Sequence, residues 1–281
     1  MKNCRTALVN RDDPHFDAIV EGATAKILTF SLEQAADFTA DDIRYVRQES
    51  EYWKSIEFSL FHKVAVSYYP SYVEEEAIHA VDETIPVKAI TAYVYEEFLQ
   101  NLNKDFAKRE GLLFVGGFAH PPNADAVLWF AKEVFPKIRE QIKVNFYIVG
   151  SKVTDEIKAL EQPGNGIIVK GFVSEEELAD LYRNCRIVVV PLRYGAGVKG
   201  KVVEAIYNGA PIVTTSVGSE GIPDVEKVLL VKDQPDEFAE TVIELYNDEK
   251  RLEDLAEKTQ VYIREHFSID AAWDVIKEDF E

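Results

Sequence analysis

The sequence predicts an α/β fold, with a doubly wound parallel sheet in its C-terminal part and a smaller α/β portion before it. Three observations lead there. From Gly111 onward, short β-branched runs alternate with longer amphipathic ones. Strand runs such as Leu112 to Val115 and Ile187 to Val190 are apolar at every position rather than alternating, as strands buried on both faces are. Turn residues punctuate the series at Gly150, Pro191 and Asn208-Gly209.

The elements follow in order. Leu112 to Val115 reads as a buried strand, and Asn123 to Gln141 as one helix with Trp129, Phe130 and Val134 on a single stripe. Val144 to Val149 is the next strand, Thr154 to Leu160 a helix, and Ile167 to Val169 a strand. Ser174 followed by Glu177 forms a capping box that opens a helix over Glu175 to Arg183. Strand Ile187 to Val190 stops at Pro191, and a glycine-rich loop leads into a helix from Lys201 to Tyr207. Strands Ile212 to Thr214 and Val228 to Val231 complete a Rossmann-like set of βα units. The tail, Asp236 to Glu281, reads as helical with breaks near Asp248 and Ser268.

The first hundred residues are less regular. Strands are expected over Ala25 to Phe30, Val64 to Tyr69 and Val87 to Ile90, and helices over Asp41 to Phe61 and Tyr72 to Ala80. The expected organisation is a partial N-terminal domain over 1–105, a Rossmann-like domain over 106–267, and a C-terminal helix over 268–281.

Composition narrows the function. A chain of 281 residues at 47% hydrophobic, with 14 Gly and 11 Pro, is long enough to build a core without disulfides or a structural metal. No apolar run approaches the roughly 18 residues of a spanning helix, and the polar first residues lack a signal-peptide core. Cys4 and Cys185 stand alone, without metal-ligand spacing, which suits a reduced cytoplasmic chain. The net charge of −19 excludes nucleic acid as a partner, since one polyanion repels another. Residues 101–200 nevertheless carry slightly more bases than acids, between two strongly acidic flanks. Chance and a small-anion pocket are equal explanations.

The informative stretch is Pro191 to Lys201, between the end of a buried strand and the start of a helix, the edge at which open α/β sheets bind ligands. Gly195, Gly197 and Gly200 allow close backbone approach, and the helix start offers unpaired N–H groups to an anion. Arg193, Lys199 and Lys201 add three cations, a set that suits a diphosphate. Gly116-Gly117, after the first strand of this half, offers a second approach point. Glu204 would repel a phosphate. It either accepts hydrogen bonds from a ribose diol or complements the helix dipole, and the residues alone leave both open. His120 lies in a loop at the same edge. Glu74 to Glu76 and Glu175 to Glu177 sit at helix starts and read as dipole partners. Neither GxGxxG nor a phosphate loop of the GxxxxGK[ST] type is present, which disfavours a nicotinamide-dependent enzyme.

Arg193 to Thr215 resembles the donor-binding segment of family 4 glycosyltransferases of the GT-B fold. The resemblance extends through Phe114 to Gly117, Phe146 to Gly150, Gly171 to Val173 and Gly218 to Gly221. It implies a GT-B-like chain of hexosyltransferase type that moves a sugar, with retention, from a nucleotide-diphosphate sugar to a glycan, lipid or small-molecule acceptor. It implies no resident cofactor, since the nucleotide sugar is the substrate, and no metal site is assigned. Carried over by position, Glu204 holds the ribose, and Gly197, Val198 and Lys199 meet the diphosphate or sugar. Gly171, Phe172 and Val173 border the base. The first Glu of the family's pair falls on Ala196, and the usual cations after the first strand fall around Gly117 and Pro122. The N-terminal part is about half the usual size for such a domain. An N-terminally shortened enzyme, a fragment and a noncatalytic nucleotide-sugar-binding module are therefore all compatible with the sequence.

Overall fold

The computed structural model describes residues 6–10, 26–30, 51–52 and 54–280. The chain forms two compact units, Met1–Ala65 and Val66–Glu281. In the first, β1 (Thr6–Asn10) and β2 (Lys26–Phe30) pair in parallel, Thr6 opposite Lys26 and Asn10 opposite Phe30. β1 is an addition to the sequence reading, whose first expected strand was Ala25 to Phe30. Residues 54–61 are helical. The earlier part of the helix expected from Asp41 lies outside the described residues.

In the second unit, β3 (Ser67–Tyr69), α1 (Tyr72–His79) and β4 (Val87–Ala89) make a parallel βαβ motif. The larger sheet follows: β5 (Leu112–Val115), β6 (Phe146–Val149), β7 (Ile167–Gly171), β8 (Ile187–Val190), β9 (Ile212–Thr214) and β10 (Leu229–Val231). All its pairings are parallel, in the order β10-β9-β8-β5-β6-β7. The helices are α2 (Pro121–Trp129), α3 (Phe135–Gln141), α4 (Asp155–Lys158), α5 (Glu175–Asn184), α6 (Gly200–Tyr207), α7 (Ser216–Ser219), α8 (Pro235–Tyr246), α9 (Glu249–Phe267) and α10 (Ile269–Ile276).

This is the doubly wound order, in which the chain lays down β5, β6 and β7 outward and then returns to place β8 on the other side of β5. The central strands are buried on both faces, with Leu112, Leu113 and Phe114 and the whole of Ile187 to Val190 at 2% exposure or less. That is why they read as continuous apolar runs. An aromatic cluster closes one face. The Phe130 ring lies 4.7 Å from Phe146 and 5.7 Å from Phe238, centroid to centroid.

One expected helix is interrupted. Asn123 to Gln141 divides into α2, a π-helical turn over Phe130–Val134, and α3. Pro136 explains the break, because it brings no N–H to the ladder and its ring crowds the preceding turn. A π turn absorbs the mismatch. The start is also earlier than expected, with Pro121 in the first turn, where a missing N–H costs nothing. Half of the capping box forms. Ser174 Oγ accepts from the Glu177 N–H at 3.1 Å, while the Glu177 carboxylate accepts from Lys170 at 2.8 Å. Cys185 is buried, and burial pushes its thiol up to about 12.

Candidate functional site

The strand order places the loop after β5 beside the loop after β8, at the point where the winding reverses. These loops carry Gly116-Gly117 and Arg193 to Lys201. They interlock through side chains whose roles the sequence reading missed. Asn123, 5% exposed at the start of α2, donates from Nδ2 to the Gly117 carbonyl at 2.8 Å and accepts from Lys201 Nζ at 2.7 Å. Asp125, two residues further along α2, takes the Arg193 guanidinium in a two-pronged contact with Nε at 2.9 Å. Pro122 packs against the backbone at Gly195. Pairings of this kind depend on two loops 70 or so residues apart meeting in space, and no local pattern announces them.

The three cations have different surroundings. Arg193 is half-exposed and already paired with Asp125. Lys199, 9% exposed, donates to Glu220 at 3.1 Å and to the Gly197 carbonyl. Lys201 is half-buried and is held by the neutral amide of Asn123. Burial, helped by the nearby Lys199 charge, lowers its ammonium to about 8. A charge kept in a poorly solvated place by a neutral partner is stabilised when an anion arrives.

The backbone leaves room for that anion. Gly197 has φ +77, and a Cβ there would meet nothing within 4 Å, so the loop turns its open side outward. Gly116 lies against Asn123 and the Lys201 stem. Of the first-turn amides of α6, those of Val202 and Val203 donate to the Lys199 carbonyl at 2.8 and 3.3 Å, which leaves the Gly200 and Lys201 amides at this edge for a ligand.

Glu204 sits one turn further along α6 and is half-buried rather than solvated. Burial raises its carboxyl, while Tyr182 and Lys201 pull it back down. The Tyr182 hydroxyl is wholly buried and looks onto this carboxylate. Tyr95, stacked on Tyr207 at 4.2 Å, is pushed up to about 12 by burial and then by Glu204. Gly171, Phe172 and Val173 stand further out, at the end of the edge strand β7, with Phe172 at 81% exposure. His120 caps α2 through its backbone, and its ring is exposed. Among the described residues no three His, Cys, Asp or Glu side chains gather as metal ligands. No helix among them is long and apolar enough to cross a membrane.

The family described as Glycosyl transferases group 1 matches residues 109–248, the stretch that builds this crevice. Over that stretch the chain is similar to the group 1 glycosyl transferases. An uncharacterized 44.6 kDa protein from the cps region of Klebsiella pneumoniae is 29% identical over 62% of this chain and 45% of its own length. The uncharacterized glycosyltransferase MJ1178 of Methanocaldococcus jannaschii is 28% identical over 63% of this chain and 49% of its own. The chain thus spans about half the length of these curated relatives. In fold it is similar to Anabaena Alr3699/HepE, solved in complex with UDP-glucose. That likeness has a TM-score of 0.61 and 14% identity, covering 98% of this chain and 91% of that one. The matched stretch runs from β5 through α8 and includes every residue of the interlocked loops. The architecture is the α/β, GT-B-like one expected from the sequence.

Proposed function

We propose that the crevice between β5 and β8 binds the diphosphate of a nucleotide-diphosphate sugar, and that the chain transfers the sugar to an acceptor. The observation that carries this reading is Lys201, a half-buried ammonium whose hydrogen-bond partner is a neutral amide, where the glycine-rich loops and the start of α6 converge. The UDP-glucose complex of the similar Anabaena protein supports uridine diphosphate as the carrier. Gly116, Gly117, Gly197, Val198 and Lys199 line the diphosphate, Glu204 takes the ribose, and Gly171 to Val173 border the base.

The chemistry asks little of protein bases. The bond from the sugar C1 to the β-phosphate oxygen breaks, and the acceptor oxygen bonds to C1 on the same face. The acceptor proton passes to the departing phosphate oxygen, so configuration is retained. Lys201 and the loop amides stabilise the charge that grows on the leaving diphosphate, and being fixed beforehand they need no reorganisation. Ala196 stands where the family's first Glu would contact the sugar, so donor binding is expected to outpace transfer.

Calorimetry with UDP-glucose and an assay of UDP release on the same preparation test this. Micromolar binding, about −8 kcal/mol, with slow sugar release is expected. Binding of NAD in preference to UDP-glucose would overturn it.

Two further outcomes follow from the geometry. Replacing Glu204 with Gln is expected to weaken UDP binding by about 1–3 kcal/mol, a lost charge-assisted bond. Affinity for a 2′,3′-dideoxy analogue should stay unchanged, and equal losses for both ligands would assign Glu204 to the helix dipole. The second outcome is a pH dependence. An anion binds the protonated form of Lys201, so affinity is flat below the free ammonium's value of about 8. Above it, affinity falls by up to about tenfold per pH unit. Titrations at pH 7 and above, where a terminal phosphate with a second pKa of about 6 is already ionised, isolate this effect. Lys201→Arg should flatten the profile.

A further inference from the structure

A cavity of about 360 Å³ opens where the carboxyl ends of β3 and β4 face the loops that follow β8 and β9. Its size lies within the range of about 300–1,000 Å³ common for small-molecule sites. It shares Val198 with the candidate diphosphate loop, and the Val198 methyl lies close to Gly221, which also lines it. A molecule seated here would touch the Val198 side of that loop.

The walls are largely apolar, formed by Ile90, Val198, Phe267, Ala272 and Val275 among others. The charged groups it presents are carboxylates. Glu265 is exposed, and Asp274 is paired with Lys277 at 2.7 Å. No Lys or Arg is among the described residues that line it. His266, stacked on Tyr262 at 4.3 Å, also lines it, and burial lowers its pKa, favouring the neutral ring. The groups acting on that ring are Glu265, Asp224 and Lys227. Such a chamber accepts an apolar group and repels a phosphate.

We propose that this cavity seats the sugar acceptor and selects a neutral molecule whose hydroxyl is joined to an apolar group. The assignment of the acceptor role rests on the donor reading above, while the preference for a neutral apolar ligand rests on the cavity itself. Free phosphorylated acceptors are disfavoured by the carboxylates and the absence of a lining cation.

The test is calorimetry with three probes: octyl glucoside below its micelle concentration, methyl glucoside and octyl phosphate. Each is titrated with and without saturating UDP. Octyl glucoside is expected to bind at least about tenfold more tightly than methyl glucoside, the effect of burying roughly two methylenes. Octyl phosphate should bind more weakly than octyl glucoside. Ala272→Trp, which fills the chamber, should abolish the octyl preference and leave the UDP dissociation constant within about twofold of wild type, a fold-change too small to signal a lost contact. Val275→Phe serves the same purpose if the first variant does not fold. Equal binding of the two glucosides, preference for octyl phosphate, or an octyl preference that survives filling overturns the proposal. Absence of UDP binding in the wild type would instead sink the donor reading alone, because the glucoside titrations without UDP still report on the cavity.

Discussion

Lys201→Met is expected to lower affinity for UDP by about 2–3 kcal/mol, the value of a hydrogen bond to a charged group in a poorly solvated place. Affinity for uridine should hold. The reasoning starts from contrast among three cations in one loop. Arg193 has a carboxylate already in Asp125, and Lys199 has one in Glu220. A diphosphate approaching either must compete with an existing partner, and exposed pairs of the Arg193 kind contribute only about 0–1 kcal/mol. Lys201 makes its hydrogen bond to the neutral Asn123 amide, and the Glu204 charge acts on it without a direct bond. Methionine keeps the apolar stem and removes the charge. Two opposed effects act on the ligand-free protein. Loss of a disfavoured charge stabilises it, and the unpaired Asn123 oxygen destabilises it, so the thermal midpoint should move by only a few degrees. Parallel titrations of UDP and uridine, with a melting curve for each protein, check this. A similar loss for both ligands, or collapse of the fold, would remove Lys201 from the diphosphate site.

Gly150→Ala should be among the most damaging single substitutions in the chain, costing about 3–5 kcal/mol of stability. Gly150 follows β6 with φ +154, and a Cβ built there falls 1.8 Å from the Gly116 carbonyl oxygen. Neither backbone can move aside freely. The Gly116 N–H donates to the Val149 carbonyl at 2.9 Å, and the Gly150 N–H donates to the Gly171 carbonyl at 2.8 Å. The methyl would therefore pry apart β5 and β6 just where the sheet delivers Gly116 to the site, so UDP binding should fall with stability. Gly164→Ala is the control. It too has positive φ, +80, but nothing lies within 4 Å of its Cβ, which leaves only the backbone cost of about 1–2 kcal/mol. Urea unfolding midpoints of the two variants give the comparison. Equal shifts would mean the close approach at Gly116 is not maintained in solution.

The sheet was legible in the sequence because its physics is local. A strand covered on both faces must be apolar at every position, and Ile187 to Val190 is. Helix starts were legible for a similar reason. Ser174 caps its helix with the side-chain oxygen expected of it, and Ser268, read only as a break, caps the helix that follows. Pro136 was the local signal for the π turn, but a strong amphipathic stripe through Trp129, Phe130 and Val134 outweighed it.

The glycines and cations of the two loops were legible as an anion-binding edge, whereas their division of labour was not. Which cation is neutralised depends on Asp125 and Glu220, contributed by other elements. Asn123 read only as a helix start, although its position six residues beyond Gly117 lets one buried amide tie both loops together. Glu204 presented two readings from sequence, solvated or ligand-facing. Its burial beside Tyr182 and Tyr95 is a tertiary fact.

The central claim is that UDP sits in the crevice between the β5 and β8 loops. A roomier groove of about 750 Å³ exists at the opposite, amino ends of β6 and β7, where Arg139, Lys143 and Lys158 make a basic alternative. Hydrogen–deuterium exchange with and without UDP separates the two. The expected result is slowed exchange in peptides covering 112–124 and 191–204, with 139–168 unchanged. Protection confined to 139–168 would place the nucleotide at the wrong end of the sheet and contradict the claim.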